Sequence, residues 1–486
     1  MQLTDLAFPS GRRRDSSVAA TGKSLASSPI HPDVHLFETD LGSHLFLVNG
    51  SQVYGLGQEE YALLWQAMRQ DDRAAVDHVL KALSLDSAQM IDDSPVISPS
   101  TRALSLAVAQ TCNLGCTYCY AQQGNFGGPR KAMPREVAIA AVDHLFQHAQ
   151  AGDRVNLAFL GGEPMANRRV LQEATEYAIA LAEASRVHVG FSVTTNGTLL
   201  DAGDCEFFEK YGFAVTISLD GVGEVHDRLR PYKGGAGSYR HILRRVSPLL
   251  QAQRRMQVSA RVTVTPRNLC LLATLRELVD LGFHSVGFSP MLSAPSGQDE
   301  LGSDDLDVML EQMIECGREF ERQVVAGRRY PFANMVNALK EIHKGTHRPY
   351  PCGAGAGYMG VSADGDLSAC HRFVRDEAGA MGDLKNGIDS ERQNQWLAER
   401  HVHRQEPCRS CWARYLCGGG CHHEVIHRGR PACDYIRGWL HYSLGAYVRV
   451  LEACPHYFGR ERIGCFKHSG NHALASLRDR PESSAQ

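Results

Sequence analysis

The sequence predicts an α/β protein built on a parallel sheet, with a small α+β unit before it and a cysteine-rich unit after it. Between Leu104 and Pro290, short apolar runs alternate with helix-like segments through six β/α units. Residues 31–100 hold three strand-like runs and then two helical ones. From about residue 347 to 433, the hydrophobic period disappears and cysteine and glycine take over.

The chain has 486 residues, too many for one ordinary domain, so two or three are expected. Apolar content of 43% and charged content of 22% describe a globular protein in water. A formal net charge of −3 gives no argument for nucleic acid or an anionic membrane as partner. No apolar run reaches the length of a membrane span. The N-terminus, MQLTDLAFPSGRRRDSS, has no apolar core behind its arginines and is not a secretory signal. Fifteen cysteines in such a chain point to metal or catalytic thiols rather than disulfides, and the missing export signal leads to an expected cytoplasmic location.

Residues 1–30 are rich in Ser, Gly and Arg and read as a flexible tail. In residues 31–100, His35–Glu38 and His44–Val48 read as paired strands around Gly42-Ser43, and Gln52–Leu56 as a third. Glu59–Met68 and Arg73–Leu85 read as helices. This unit is either a structural cap or a module that takes a peptide as an added strand. Residues 101–303 hold the expected strands Leu104–Ala109, Val155–Leu160, Val187–Thr194, Phe213–Leu219, Val258–Thr265 and Ser285–Ser289, with ligands expected at their C-terminal ends. Intervening helices fit Pro134–Gln150, Arg169–Ser185, Cys205–Tyr211, Tyr239–Gln251 and Cys270–Leu281. Residues 304–346 read as linking helices, and 347–455 as a metal-folded unit closed by the helix Asp434–Cys454. Residues 456–486 read as a tail.

Two cysteine constellations carry the chemistry. Cys112, Cys116 and Cys119 follow the first barrel strand at spacings of three and two residues. Three thiolates in one loop can hold three irons of a cubane cluster and leave the fourth iron open. Farther on, Cys352 is followed by twelve residues, Gly365, four residues and Cys370; then come Cys408-x2-Cys411-x5-Cys417-x3-Cys421 and Cys433. These later spacings alone suit zinc equally well. The other five cysteines, Cys205, Cys270, Cys316, Cys454 and Cys465, lie in helix or tail segments and read as buried structural thiols.

Cys-x3-Cys-x-Tyr-Cys after a strand resembles the radical S-adenosylmethionine (SAM) enzymes, and the later seven cysteines resemble their SPASM extension. The resemblance runs over most of residues 31–455. It implies a partial (β/α)6 barrel, where strand pattern alone leaves a doubly wound sheet open. It implies a [4Fe–4S] cluster on Cys112, Cys116 and Cys119 that binds SAM and cleaves it to a 5′-deoxyadenosyl radical. Tyr118 would stand beside the adenine. Gly161, Gly162 and Glu163, at the next strand end, would receive the methionine ammonium. Thr195, Asn196, Ser218, Asp220 and Arg230 would reach the carboxylate and ribose, with turn or helix capping the plain alternative for Asp220. Two auxiliary [4Fe–4S] clusters are implied: Cys408, Cys411, Cys417 and Cys433 for the distal one, Cys352, Cys370 and Cys421 for the nearer. The nearer set has three cysteines, so its fourth iron is open or held by another side chain such as His371 or Asp366.

His371, His401, His403, His422, His423 and His427 crowd this region beside Glu424 and Asp434, and no general base is assigned among them. Cys417-Gly-Gly-Gly-Cys421-His-His-Glu424 with Ala432-Cys433-Asp434-Tyr435 is similar to the thioether-forming branch that matures quinohemoprotein amine dehydrogenase. That branch implies a peptide or small-protein substrate with an N-terminal leader (the dehydrogenase's small subunit), Cys-to-Asp/Glu methylene thioether links, and an electron donor such as flavodoxin or ferredoxin. Formylglycine formation by a sulfatase maturase is the alternative enzyme. A zinc-rich scaffold without turnover is the non-enzymatic one.

Overall fold

The computed structural model describes residues 31–85 and 93–459; the expected tail 1–30, Cys465 and most of the tail 456–486 lie outside these. Strands β1 (Val34–Thr39), β2 (Gly42–Leu47) and β3 (Gln52–Leu56) form an antiparallel sheet. Thr39 pairs with Gly42, so Asp40-Leu41 makes the turn and the expected Gly42-Ser43 opens the second strand. Gly42 has φ +127°, a conformation that suits glycine at a hairpin corner, so the residue type marks the corner although the turn lies one step earlier. Helices α1 (Gln58–Arg69) and α2 (Arg73–Ala82) follow.

Alternation puts both faces of β1 to use. Val34 and Leu36 pack with Leu45, Leu64, Met68, Val76 and Leu80 beneath the two helices. His35 and Phe37 point the other way. There His35 stacks on Trp412, ring centroids 3.7 Å apart, and its Nε2 lies 2.9 Å from His441 Nδ1.

The barrel begins with β4 (Ala103–Gln110), which pairs antiparallel with the two-residue β5 (Lys131–Ala132). Then alternate α3 (Arg135–Phe146), β6 (Arg154–Gly161), α4 (Arg168–Ser185), β7 (His188–Thr195), α5 (Ala202–Tyr211) and β8 (Ala214–Ser218). The short α6 (Glu224–Leu229) precedes α7 (Tyr239–Ala252), β9 (Gln257–Val264), α8 (Leu271–Asp280) and β10 (Ser285–Pro290). All six expected barrel strands are present. They lie parallel in the sequential order β4-β6-β7-β8-β9-β10, the arrangement of the partial barrel. Helices α9 (Ser303–Val325) and α10 (Ala333–Lys344) link to the last unit.

That unit is more regular than its sequence suggests. Strands β11 (Tyr358–Val361), β12 (Asp366–Ser368), β13 (Ala380–Asp383) and β14 (Gly387–Ile388) continue the barrel sheet, β11 running parallel to β4. Strands this short carry too few inward side chains for alternation to show. Helix α11 (Ser390–Arg400), the single turn α12 (Arg414–Cys417), α13 (His422–Arg428) and the long α14 (Cys433–Ala453) complete it. No helix among the described residues is long and apolar enough to cross a membrane.

Burial pushes the pKa of His35 well below its ordinary value and that of His441 down to about 4. Both are therefore neutral when folded, while the unfolded chain takes up protons below about pH 6.5. Their contribution to stability is complete above that pH and is lost as the pH falls towards 4. Thermal melts between about pH 7.5 and 5.5 should fall less steeply for His441→Asn than for the wild type; equal slopes would rule the pair out as the cause.

Candidate functional site

The ends of β4, β6, β7 and β8 deliver the predicted residues to one place. Cys112, Cys116 and Cys119 converge after β4, each bearing electrostatically on the others. Leu114, Tyr118, Leu229, Met291 and Ala294 surround them. The loop is pinned by Gly115 N donating to the Pro231 carbonyl at 2.8 Å and Leu114 N to Cys112 Sγ at 3.4 Å. Burial raises the Cys112 thiol, and it raises Cys116 to about 12 against the pull of Arg230. A metal bound here would displace their protons.

Gly162 lies against this loop: a Cβ there would come within 2.2 Å of the Thr111 carbonyl oxygen. Glu163 is fully buried. Its Oε1 accepts from Met165 N at 3.0 Å and Thr195 Oγ1 at 2.7 Å, and its Oε2 from Asn196 N at 2.7 Å. The carboxylate thus ties β6 to β7. Asn196 Nδ2 reaches Asn113 Oδ1 at 2.9 Å and stands 3.6 Å from Cys112 Sγ.

Asp220 is also fully buried, and the Tyr118 hydroxyl donates to its Oδ2. Its Oδ1 accepts from Thr263 N at 2.7 Å. Arg230 Nη1 donates to the Tyr118 hydroxyl at 2.7 Å and lies 3.3 Å from Asp220 Oδ2. Asp220 therefore bears on the site through Tyr118 and Arg230. Removing one partner of such a buried pair costs about 3–5 kcal/mol. Arg230 Nε is buried without a partner beside the cysteine loop, a donor a bound carboxylate would satisfy. Ser218 closes β8, half-buried, at the same sheet end.

The later cysteines fall into two further groups. Cys352, Cys370 and Cys421 bear on one another, and burial raises Cys370 to about 12. Cys408, Cys411, Cys417 and Cys433 line a cavity of about 70 Å³ with Arg430 and Arg437. Cys421 also borders this cavity. All described cysteines are free thiols. Of the remaining ones, Cys316 is buried as expected, but Cys205 and Cys454 are half-buried and Cys270 is exposed. Cys270 precedes α8 as its capping residue, outside the apolar face.

The first and nearer groups meet across Tyr120, which both Cys119 and Cys370 influence. The His371 ring stands edge-on to Tyr120 at 5.7 Å, and its Nδ1 lies 2.7 Å from the Tyr358 hydroxyl. Asp366 instead accepts from Ser362 Oγ at 2.8 Å within the β11–β12 turn. His401 caps a 3₁₀ turn, His403 reaches Tyr415 at 3.0 Å, and His422 packs against Trp396. Asp434 is paired with Arg437. Sequence reasoning gave Arg372 no role. Its Nη1 donates to Glu424 Oε1 at 2.7 Å and stands 3.8 Å from Cys421 Sγ, and its guanidinium lies over Tyr120 at 5.5 Å. The adjoining Cys370-His371 was the available signal.

The Radical SAM superfamily model matches residues 106–278. The serine-type anaerobic sulfatase-maturating enzyme of Klebsiella aerogenes is 26% identical over 346 residues, 68% of this chain and 82% of that protein. The radical SAM cyclopropyl synthase TigE of Paramaledivibacter caminithermalis is 21% identical over 359 residues, 68% of this chain and 72% of that one. The structure of anSMEcpe with bound AdoMet superimposes with a TM-score of 0.60 at 19% identity, covering 72% of this chain and 99% of that one, which establishes the shared fold. With its cysteine loop at the strand ends, a guanidinium beside it whose Nε has no partner and the matched barrel around both, residues 106–278 form a radical SAM domain and the chain is a radical SAM enzyme.

Proposed function

We propose that this enzyme matures a peptide or small protein by joining a cysteine sulfur to a methylene carbon of an Asp or Glu side chain, with the small subunit of quinohemoprotein amine dehydrogenase as substrate. The observation that carries this reading is the nearer group of three cysteines, which faces the SAM loop across Tyr120. Cys112, Cys116 and Cys119 would hold the SAM-binding [4Fe–4S] cluster. Cys352, Cys370 and Cys421 would hold a second, leaving one iron free of cysteine for a substrate thiolate, and Cys408, Cys411, Cys417 and Cys433 a third. When bound, these groups supply a 5′-deoxyadenosyl radical that takes a hydrogen atom from the substrate carbon, and a sink for the electron released as the C–S bond forms.

The chain's own residues bind and orient. Gly161 and Gly162 let the end of β6 pack closely against the cysteine loop, where the SAM ammonium would be received, and Arg230 would offer its free Nε to the carboxylate. Thr195, Asn196 and Ser218 frame the remaining side, and Asp220 holds Tyr118 in place beside the adenine. Arg372 offsets negative charge at Cys421 and is itself balanced by Glu424. The N-terminal sheet would take the leader as an added strand. The named sulfatase-maturating relatives favour a second reading, oxidation of a substrate Cys or Ser to formylglycine.

Mass spectrometry of the small subunit after reaction with SAM and a reductant should show a loss of two hydrogens per link, with the linked cysteines resisting alkylation. An aldehyde product selects the formylglycine reading, and an unchanged substrate defeats both. Arg230→Lys keeps the charge but loses the fork, so SAM should bind about tenfold or more weakly in equilibrium titration. Arg372→Met should lower cross-linked product about tenfold or more while 5′-deoxyadenosine still forms and iron content holds. Parallel loss of both products would show that Arg372 serves the SAM site instead.

A further inference from the structure

A third kind of ligand set lies outside the cysteine groups. His423 and His427 stand four residues apart on α13, so both rings leave the same helix face. Asp376, from the turn after Cys370, meets them there. The three side chains each bring one ligand atom to within 4.8 Å of the others. Asp376 Oδ2 lies 2.7 Å from His427 Nε2, while its Oδ1 accepts from Ala378 N at 3.0 Å and fixes the carboxylate. The two imidazoles are 4.5 Å apart between centroids. His423 Nδ1 is buried with no hydrogen-bond partner. Phe373 packs beside both rings and restricts their rotation.

We propose that Asp376, His423 and His427 form a binding site for one divalent transition ion of the zinc class, separate from the iron–sulfur positions. Two imidazoles and a carboxylate make the donor set of three-ligand zinc sites, which leave a fourth position to water. The half-exposed His427, with 38% of its side chain accessible, opens that position to solvent. Ligand atoms around a tetrahedral zinc lie about 3.3 Å apart, given bonds of about 2.0–2.2 Å. Binding would draw the three ligand atoms together from their present spread of up to 4.8 Å. The ion would bridge the Cys370–Asp376 segment to the helix that follows Cys421. It would thereby clip together the two pieces of chain that bring cysteines to the nearer group.

The test uses the anaerobically reconstituted holoenzyme, with Zn2+ as the probe. The expected result is one zinc per chain beyond the iron, with only nitrogen and oxygen neighbours at about 2.0–2.1 Å in X-ray absorption. Zinc should raise the melting temperature of the wild type. His427→Ala changes an exposed residue, and Asp376→Asn keeps its turn contact. Both should retain wild-type iron content and lose zinc affinity by at least about a hundredfold, more than the loss of an outer-shell partner costs. Three outcomes overturn the proposal: no zinc retained by the wild type, sulfur neighbours at about 2.3 Å, or wild-type zinc affinity in both variants.

Discussion

Strand β4 is hydrogen-bonded on both sides, and the site depends on that. On one side it pairs with β6 through Ala103↔Asn156 to Ala109↔Gly161, which places the first cysteine loop beside Gly161 and Gly162. On the other side it pairs with β11, Tyr358↔Ala103 to Val361↔Leu106. The Tyr358 hydroxyl, donating to Ser105 Oγ at 2.8 Å, locks that register. Gly360 makes the approach possible, because a Cβ there would lie 2.7 Å from the Cys370 carbonyl carbon. One strand therefore sets where Cys112 begins and where Cys370 ends. A slip by one residue would turn every side chain of β11 to the opposite face.

Charge follows the same geometry. Ten cysteines in three groups become strongly negative wherever metal displaces their protons. Arginines stand beside each group: Arg230 at the first, Arg372 at the nearer, Arg430 and Arg437 at the distal. Three of them are paired with carboxylates, Arg230 with Asp220, Arg372 with Glu424 and Arg437 with Asp434, the first two pairs being the more deeply buried. A buried ion pair is weak evidence for stability, since desolvation offsets most of the attraction. Here the pairs hold guanidinium groups at fixed places next to sulfur. That is a positioning role for Asp220 and Glu424.

The barrel was legible because strands of five to eight residues show their alternation and because the cysteine loop follows the first of them directly. The grouping of the ten cysteines was legible only through resemblance, since spacing alone allowed zinc. Strands of two to four residues in 358–388 carried no readable period. Arg372 was invisible because its meaning lies in contacts with Tyr120 and Glu424, which are 252 and 52 positions away. Asp376 was hidden for the same reason: it meets His427 only after β11 and α13 are placed. Cys270 shows the opposite error, a residue type given its usual burial although its position just before a helix exposes it.

The N-terminal sheet is attached to the cysteine-rich unit as much as to the barrel. Trp412, on which His35 stacks, directly follows Cys411, and Arg414 holds Asp33 at 3.1 Å. His441, the other partner of His35, lies on the helix that starts at Cys433. The two segments that clasp β1 are thus the ones carrying three of the four distal thiols, Cys411, Cys417 and Cys433. Anything that orders those thiols also orders the surface on which the sheet rests, and by linkage the docked sheet favours the ordered thiols equally.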